Sequence, residues 1–428
     1  MDPRAESAGE KCLGALANVC PVHQGPLYPL IETTRNRSAY RPRAGAVLSH
    51  THLDRRAPPM PPTMTKRERV LAAIDLQETD RVPLYDLLCC DAVFEHFSGE
   101  KLPPLANDPD TVRKLHEIAC SAVGAMLDMT RSVGFGPVVE TEITTPEGFV
   151  IHVSPHEKTS WIVSRPFSDE AGAAAYVKDA ILKQREATRR VLADPATYRD
   201  NYHKGFLGTQ ALIGDTVNLL AQHGVGLDDI RHNVGMELFC YMEFDDPGLI
   251  SEYLEASTEH NIAVCHAIAD PELSPVVLTY GDIACKDRLL HSPAFLRREF
   301  FPRLKRLNDA WHEHGLRCLF HSDGYLMEVM DDLIEAGIDG LNPIETVAGM
   351  NLRQVKDKYG DRIFLAGGID MSQLLSNGTP EEVREVCEQA VRDARPGFLM
   401  GSTTELDNSV RLENVLVMVQ VAMESAGG

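Results

Sequence analysis

From Met64 onward, short apolar runs alternate with longer stretches whose apolar residues recur three and four positions apart. The first such stretch opens on Thr65 and Glu68 in capping-box spacing and carries Val70, Leu71 and Ile74 on one helical stripe. Residues 81–87 then read as a buried strand. A helix is predicted from Asp108 and Pro109, with Val112, Leu115, Ile118 and Ala119 on one face. Residues 138–163 alternate apolar and polar around Pro146, Glu147 and Gly148, the pattern of a surface β-hairpin lying over or beside the mouth of the main sheet. Further helices are predicted over 169–193, after Ser168, and over 247–268, after Asp246 and Pro247.

The C-terminal half is the most regular. Apolar strands at 275–281, 316–320, 337–341, 362–366 and 397–400 alternate with amphipathic helices, which start at signals such as Ser292-Pro293 and the capping box of Thr379 and Glu382. Pro302, inside the apolar stretch 295–314, is expected to kink or divide that helix. Alternation of this kind predicts an α/β fold with a parallel sheet. No Gly-x-Gly-x-x-Gly follows the first strand and no P-loop occurs, so a (β/α)8 TIM-type barrel is preferred to an open doubly wound sheet.

Residues 1–63 break this pattern. They hold nine of the 26 prolines, including Pro58, Pro59, Pro61 and Pro62, and eight Lys/Arg against five Asp/Glu. Without a periodic apolar face such a segment cannot offset its own ordering entropy, so a disordered, dispensable extension is expected ahead of a 64–428 domain. The formal net charge of −21 argues against binding nucleic acid or an anionic membrane. No apolar run reaches the roughly 18–20 residues of a membrane span, and no secretory leader is evident. Ten scattered cysteines with no Cys-x-x-Cys pair fit a reducing compartment, hence a cytoplasmic expectation.

In parallel β/α proteins, ligands bind beyond the carboxyl ends of the strands. Five successive apolar runs end in glycine or proline with a carboxylate. These endings are Tyr280-Gly281-Asp282, His321-Ser322-Asp323-Gly324, Asn342-Pro343-Ile344-Glu345, Gly367-Gly368-Ile369-Asp370 and Gly401 through Glu405. Carboxylates and imidazole offer metal ligation or acid–base chemistry, and glycines let a backbone approach a ligand. His321 and Asp323 stand two apart and would face one side of an extended segment. The alternatives are plain ones: Asp323 and Asp370 as helix N-caps, Asp282 as a loop anchor and His321 as a core histidine. His312 and His314, at a helix end, read as structural.

Residues 64–73 (MTKRERVLAA), Asp80-Arg81-Val82-Pro83, Ser292-Pro293, His321 to Gly324, residues 337–343 (GIDGLNP), Gly367 to Asp370 and Leu412-Glu413-Asn414 together resemble the uroporphyrinogen-decarboxylase-like superfamily. The resemblance covers essentially all of 64–428 and implies a (β/α)8 barrel. It also implies one of two chemistries. Authentic uroporphyrinogen decarboxylases are metal-free and grip a polycarboxylate tetrapyrrole with an arginine-rich motif after the first strand. Here that stretch, residues 84–91 (LYDLLCCD), has no arginine and places Asp86 there instead. Acidic company is poor for a polyanion.

The other branch, the corrinoid-linked methyltransferases, binds zinc through His-x-Cys, a glutamate at the next strand ending and a late cysteine. In this chain Asp323 stands at the cysteine position, Glu345 follows 24 residues after His321, and residues 403–405 (TTE) supply no thiol. The resemblance therefore implies a metal set of His321, Asp323 and Glu345, harder than a thiolate site and better suited to polarising an ether oxygen. The favoured expectation is methyl transfer from a small, methoxylated-type substrate to a corrinoid protein. Cobalamin would arrive only on that partner, because no corrinoid-binding motif is evident. Asp282, His321 and Asp86 are then the expected catalytic residues, with Tyr280, Gly367, Gly368, Asp370 and Glu405 lining the substrate. Metal-free decarboxylation and a non-catalytic binding barrel are the competing readings. The sequence does not set an oligomeric state.

Overall fold

The chain is described by a computed structural model over residues 63–156 and 158–425. The expectation for residues 1–63 thus falls, but for Thr63, outside the described residues. Thr65 and Glu68 do form the capping box of helix α1 (Lys66–Ile74). Strand β1 (Tyr85–Asp86) and helix α2 (Asp91–Ser98) follow, then α3 (Pro109–Met126), whose N-cap Asp108 accepts from the Asp110 and Thr111 amides. Strand β2 is only Met129–Thr130.

The alternating stretch at 138–163 is a three-stranded antiparallel meander, β3 (Thr141–Thr144), β4 (Val150–Ser154) and β5 (Thr159–Ser164), where a two-stranded hairpin was expected. It pairs with none of the parallel strands. Its turn meets the loop that follows the last parallel strand, where Asn408 Nδ2 donates to the His156 carbonyl at 2.9 Å.

Two long helices come next, α4 (Glu170–Ala193), capped by Asp169 rather than by the expected Ser168, and α5 (Pro195–Ile213). Residues 217–224 form the short strands β6 (Val217–Asn218) and β7 (Gln222–Gly224). Helices α6 (Leu227–Val234), α7 (Met236–Asp245) and α8 (Pro247–Ile268) lead to strand β8 (Val276–Tyr280). After a small hairpin, β9 (Ala284–Cys285) and β10 (Arg288–Leu289), the chain turns through α9 (Pro293–Phe295) and a π-helical stretch over Leu296–Phe300 into α10 (Phe301–Glu313). Pro302 divides this segment as its missing N–H requires, and the π-turn just before it absorbs the break. The remaining units are β11 (Arg317–His321), α11 (Met330–Glu335), β12 (Gly340–Asn342), α12 (Leu352–Tyr359), β13 (Phe364–Ile369), α13 (Pro380–Ala394), β14 (Phe398–Ser402) and α14 (Leu412–Glu424).

The fold is α/β with parallel main pairings. One sheet runs β14-β13-β12-β11-β8-β7 and another β1-β2-β6. Residues 217–224 join them: the Leu219 amide donates to Thr130 and the Leu220 amide to Val276. At the other edge Leu84 bridges Met400 in parallel, and the Met400 amide donates to Pro83, so the pairings return to β1. Both faces of these strands are buried, as expected of parallel sheets. One face gathers Met129, Val217, Val276, Leu278, Leu319, Phe364 and Leu399 in a cluster of their own, to which α1 adds Val70, Ala73 and Ile74. The opposite face packs on the surrounding helices through residues such as Val277, Cys318, Phe320 and Leu365.

The Asp80-Arg81-Val82-Pro83 stretch has a structural task. Asp128, fully buried, pairs with Arg69 at 2.6 Å and Arg81 at 2.8 Å, and takes the Leu84 amide at 2.8 Å. Asp80 binds Arg69 at 2.6 Å and is held down at about 2, although burial alone would raise it. Paired in this way, charges tolerate burial. Among the described residues, no helix is long and apolar enough to cross a membrane.

Candidate active site

Strand register assembles the site. Tyr280 on β8 is paired with both Gly224 and His321, and His321 with Asn342, so one row of residues ends four neighbouring strands. His321 is buried, and its Nδ1 lies 2.7 Å from the Asn342 Oδ1. Asn342 meanwhile donates through Nδ2 to the Ala366 carbonyl at 3.1 Å. That bond fixes which amide atom faces the imidazole, so Nδ1 of His321 carries the proton and Nε2 keeps its lone pair. Burial, with the Arg131 guanidinium nearby, pushes His321 down to about 3 despite the opposing Asn342 bond. The ring is a neutral donor.

Nε2, which accepts from Arg131 Nη1 at 3.4 Å, also has carboxylates near it. Asp282 Oδ1 is 4.0 Å from it, and ligand-type atoms of Asp282, His321 and Asp323 all lie within 4.8 Å of one another. All three side chains are buried. The Asp323 amide donates to Asp282 Oδ1 at 3.3 Å, and Thr404 Oγ1, from the loop after β14, donates to Asp323 Oδ1 at 3.3 Å. Asp323 does not cap the following helix, whose N-cap is Val329. Asp282 is raised by burial, and Asp228 is pushed up to about 6 by burial, the charge of Asp282 adding to the effect. Asp228 accepts the Asp282 amide at 2.9 Å and pairs with Arg231.

Glu345 stands outside this group of three. Its Oε2 takes the Gly324 amide at 2.7 Å, so it props the loop after His321, and burial raises it. The set expected from the sequence was His321, Asp323 and Glu345; the set brought together is Asp282, His321 and Asp323.

Asp370 is committed elsewhere. Its two carboxylate oxygens accept the amides of Ser372, Gln373 and Leu374, which makes it the N-cap of the π-helical turn Met371–Leu375. The two glycines before it also serve the chain itself. Gly367, at φ +106°, lies so close to Pro343 that a Cβ would sit 2.3 Å from its carbonyl oxygen, and the Gly368 amide donates to that oxygen.

Asp86 ends β1 and takes the Ser402 amide at 2.8 Å, the Ser402 hydroxyl at 2.7 Å and the Leu87 amide at 3.0 Å. Burial and, to a smaller extent, the charge of Glu405 push it up to about 7 against those three donors. Glu405 is also raised by burial, partly offset by Arg131. Tyr280, half-buried, is kept protonated by burial.

Arg131 was not anticipated. It follows β2, donates through Nε to Gln222 Oε1 at 3.0 Å, and holds Nη1 3.4 Å from His321 Nε2. Its charge reaches Asp282, His321 and Glu405, yet no carboxylate among the described residues is within ion-pair distance of it. A two-residue strand leaves too short an apolar run for periodicity to find, which is why the residue after it escaped notice.

Residues 214–425 match the family model for uroporphyrinogen decarboxylase (URO-D). No curated protein sequence matches the chain. Among solved structures, a methyltransferase from Methanosarcina mazei is similar at TM-score 0.60 and 19% sequence identity, over 84% of this chain and 98% of that one. At that identity the likeness speaks for the fold.

Proposed function

The chain belongs, through residues 214–425, to the uroporphyrinogen-decarboxylase-like superfamily, and from that premise we propose a methyltransferase working at the mouth of a (β/α)8 barrel formed by residues 64–428. The barrel reading is supported by the strand pairings that return to β1 and by the similar fold of a methyltransferase. The proposed reaction moves a methyl group from the ether oxygen of a small methoxylated substrate to the cobalt of a corrinoid carried by a partner protein. The carbon–oxygen bond breaks with both its electrons left on oxygen, which takes a proton, while the partner's corrinoid, in its reduced Co(I) state, would supply the electron pair of the new carbon–cobalt bond.

The observation that supports this reading is the Asp282, His321 and Asp323 group, with Asn342 fixing the His321 tautomer so that Nε2, which accepts from Arg131, is the nitrogen left to ligate beside the two carboxylates. One neutral imidazole and two carboxylates fit a zinc-class ion, and an amide-oriented histidine is how such ligands are held. Bound there, zinc would supply Lewis acidity toward the ether oxygen. Around it, Asn342 orients His321, and Thr404 orients Asp323. Asp86 and Glu405, both raised and close enough for one charge to act on the other, hold a proton for the departing oxygen. Tyr280 walls the pocket, and Arg131 offers its guanidinium to an acidic group on the substrate.

Arg131 also favours a second reading, metal-free decarboxylation, in which it grips a carboxylated substrate beside a neutral His321. The two separate in one assay. Purified protein is given cob(I)alamin with a panel of methoxylated aromatic and aliphatic compounds, and methylcobalamin is followed by absorbance. Methyl transfer that Asp282→Asn and Asp323→Asn abolish, and that strong chelators suppress, is expected. Carbon dioxide release from carboxylated substrates, unaffected by chelators and without methylcobalamin, would replace this reading with the second.

A further inference from the structure

The end of the strands opposite the site carries another set of donor atoms. Chain direction places it: α8 ends just before β8 begins, and α10 just before β11, so helix carboxyl ends meet strand amino ends there. Cys265 and His266 occupy the last turn of α8, and His314 is the C-cap of α10. His266 Nδ1 lies 3.0 Å from His314 Nε2, and Cys265 Sγ is within 4.8 Å of both.

We propose that Cys265, His266 and His314 form a second metal site, for one thiophilic divalent ion of the zinc class. Two imidazole nitrogens so close share a single proton, and the same lone pairs can share an ion instead. Zinc at roughly 2.0–2.1 Å from each nitrogen and about 2.3 Å from a thiolate needs the nitrogens only a few tenths of an ångström further apart. Two helix carboxyl ends converge on the place, and their exposed carbonyl dipoles favour a cation. His266 is exposed while Cys265 is fully buried, so an ion arrives from solvent past an imidazole and seats against the thiol. With one sulfur and two nitrogens from the protein, water completes the tetrahedron. The ion ties the end of α8 to the end of α10.

The neighbouring trio His312, Cys318 and Asp339 is not such a site. Asp339 Oδ2 already binds His312 Nε2 at 2.7 Å and takes the Cys318 amide at 2.7 Å, a closed pair that holds the start of β11.

Cobalt(II) added to the chelator-stripped full chain tests this, because only a site with sulfur gives a thiolate-to-cobalt charge-transfer band. The group of Asp282, His321 and Asp323 has no sulfur and stays silent in that region. The expected result is a band of one equivalent that Cys265→Ser, His266→Ala and His314→Ala each remove, and that Cys318→Ser and Asp323→Asn leave in place. His266 is exposed, so its replacement does not threaten the fold. No band, or a band that survives His266→Ala and His314→Ala, or one removed only by Cys318→Ser, would overturn the site.

Discussion

Asn342 spends its amide on two neighbours, His321 on one side and the Ala366 carbonyl on the other, and so decides where the imidazole proton sits. Asn342→Ala should therefore weaken metal retention at the Asp282, His321 and Asp323 group by about 10–100-fold, the usual effect of losing a ligand-orienting partner. Zinc competition titrations would check this, and unchanged affinity would mean that Asn342 does not orient the ring. His321 makes a second prediction, in pH. The unfolded imidazole takes a proton near 6.5, whereas the folded one resists until about 3. Stability tied to the neutral ring is thus fully present above 6.5 and is lost as pH falls toward 3. The unfolding free-energy gap between wild type and His321→Gln should widen in favour of wild type from acid to neutral pH, then level off; urea unfolding across that range would show it. Asp370 tests capping against ligand contact. Asp370→Ala should cost about 1–2 kcal/mol, the worth of a strong N-cap, with KM for substrate unmoved. A raised KM at unchanged stability would return Asp370 to the pocket.

Elements with strong local signals were legible before the structure. Thr65, Asp108, Asp246, Ser292 and Thr379 cap helices where their spacing to acidic residues or prolines placed them. The five C-terminal strands were found from their apolar runs, although register shifted their ends by one to three residues. The short strands β2 and β6 were not legible, because each has two residues and, unlike β1 with its apolar run at 81–87, neither lies in a stretch whose pattern marks it. The same limit hid Arg131. Glu345 shows a related limit: strand endings say which residues reach the mouth, but not which of them turns back to hold a loop amide, as Glu345 does at Gly324. The motif at Asp80 and Arg81 is explained by Asp128, a residue that sequence spacing could not connect to it. Asp128→Asn should cost about 3–5 kcal/mol, since it leaves Arg69 and Arg81 buried against a weakened partner. Chemical denaturation would measure that loss; a change under about 1 kcal/mol would match a solvent-exposed pair instead.

Across the whole molecule, the start of the parallel sheet and the C-terminal end of the chain are joined by backbone and side-chain bonds together. Asp86 binds Ser402, the Cys89 amide donates to Leu406, and the Val82 amide donates to the Ser425 hydroxyl. Asn408 extends the join by taking the Asp91 amide and donating to His156 in the meander. Asn408→Ala should speed amide exchange in the turn between β4 and β5 while leaving β11 and β13 protected, which hydrogen-exchange mass spectrometry would resolve. The seam between Asp86 and Ser402 also sets a clock on biosynthesis. On the ribosome, Leu84 and Asp86 emerge long before Met400 and Ser402, and until those arrive the edge of β1 has no mate. Every strand between can pair as it appears, but the nascent chain must carry one open edge through most of its synthesis. A premature stop between residues 324 and 397 would leave that edge permanently exposed, even though Asp282, His321 and Asp323 had all been translated, and such a product is matter for chaperones and proteases rather than a weaker enzyme.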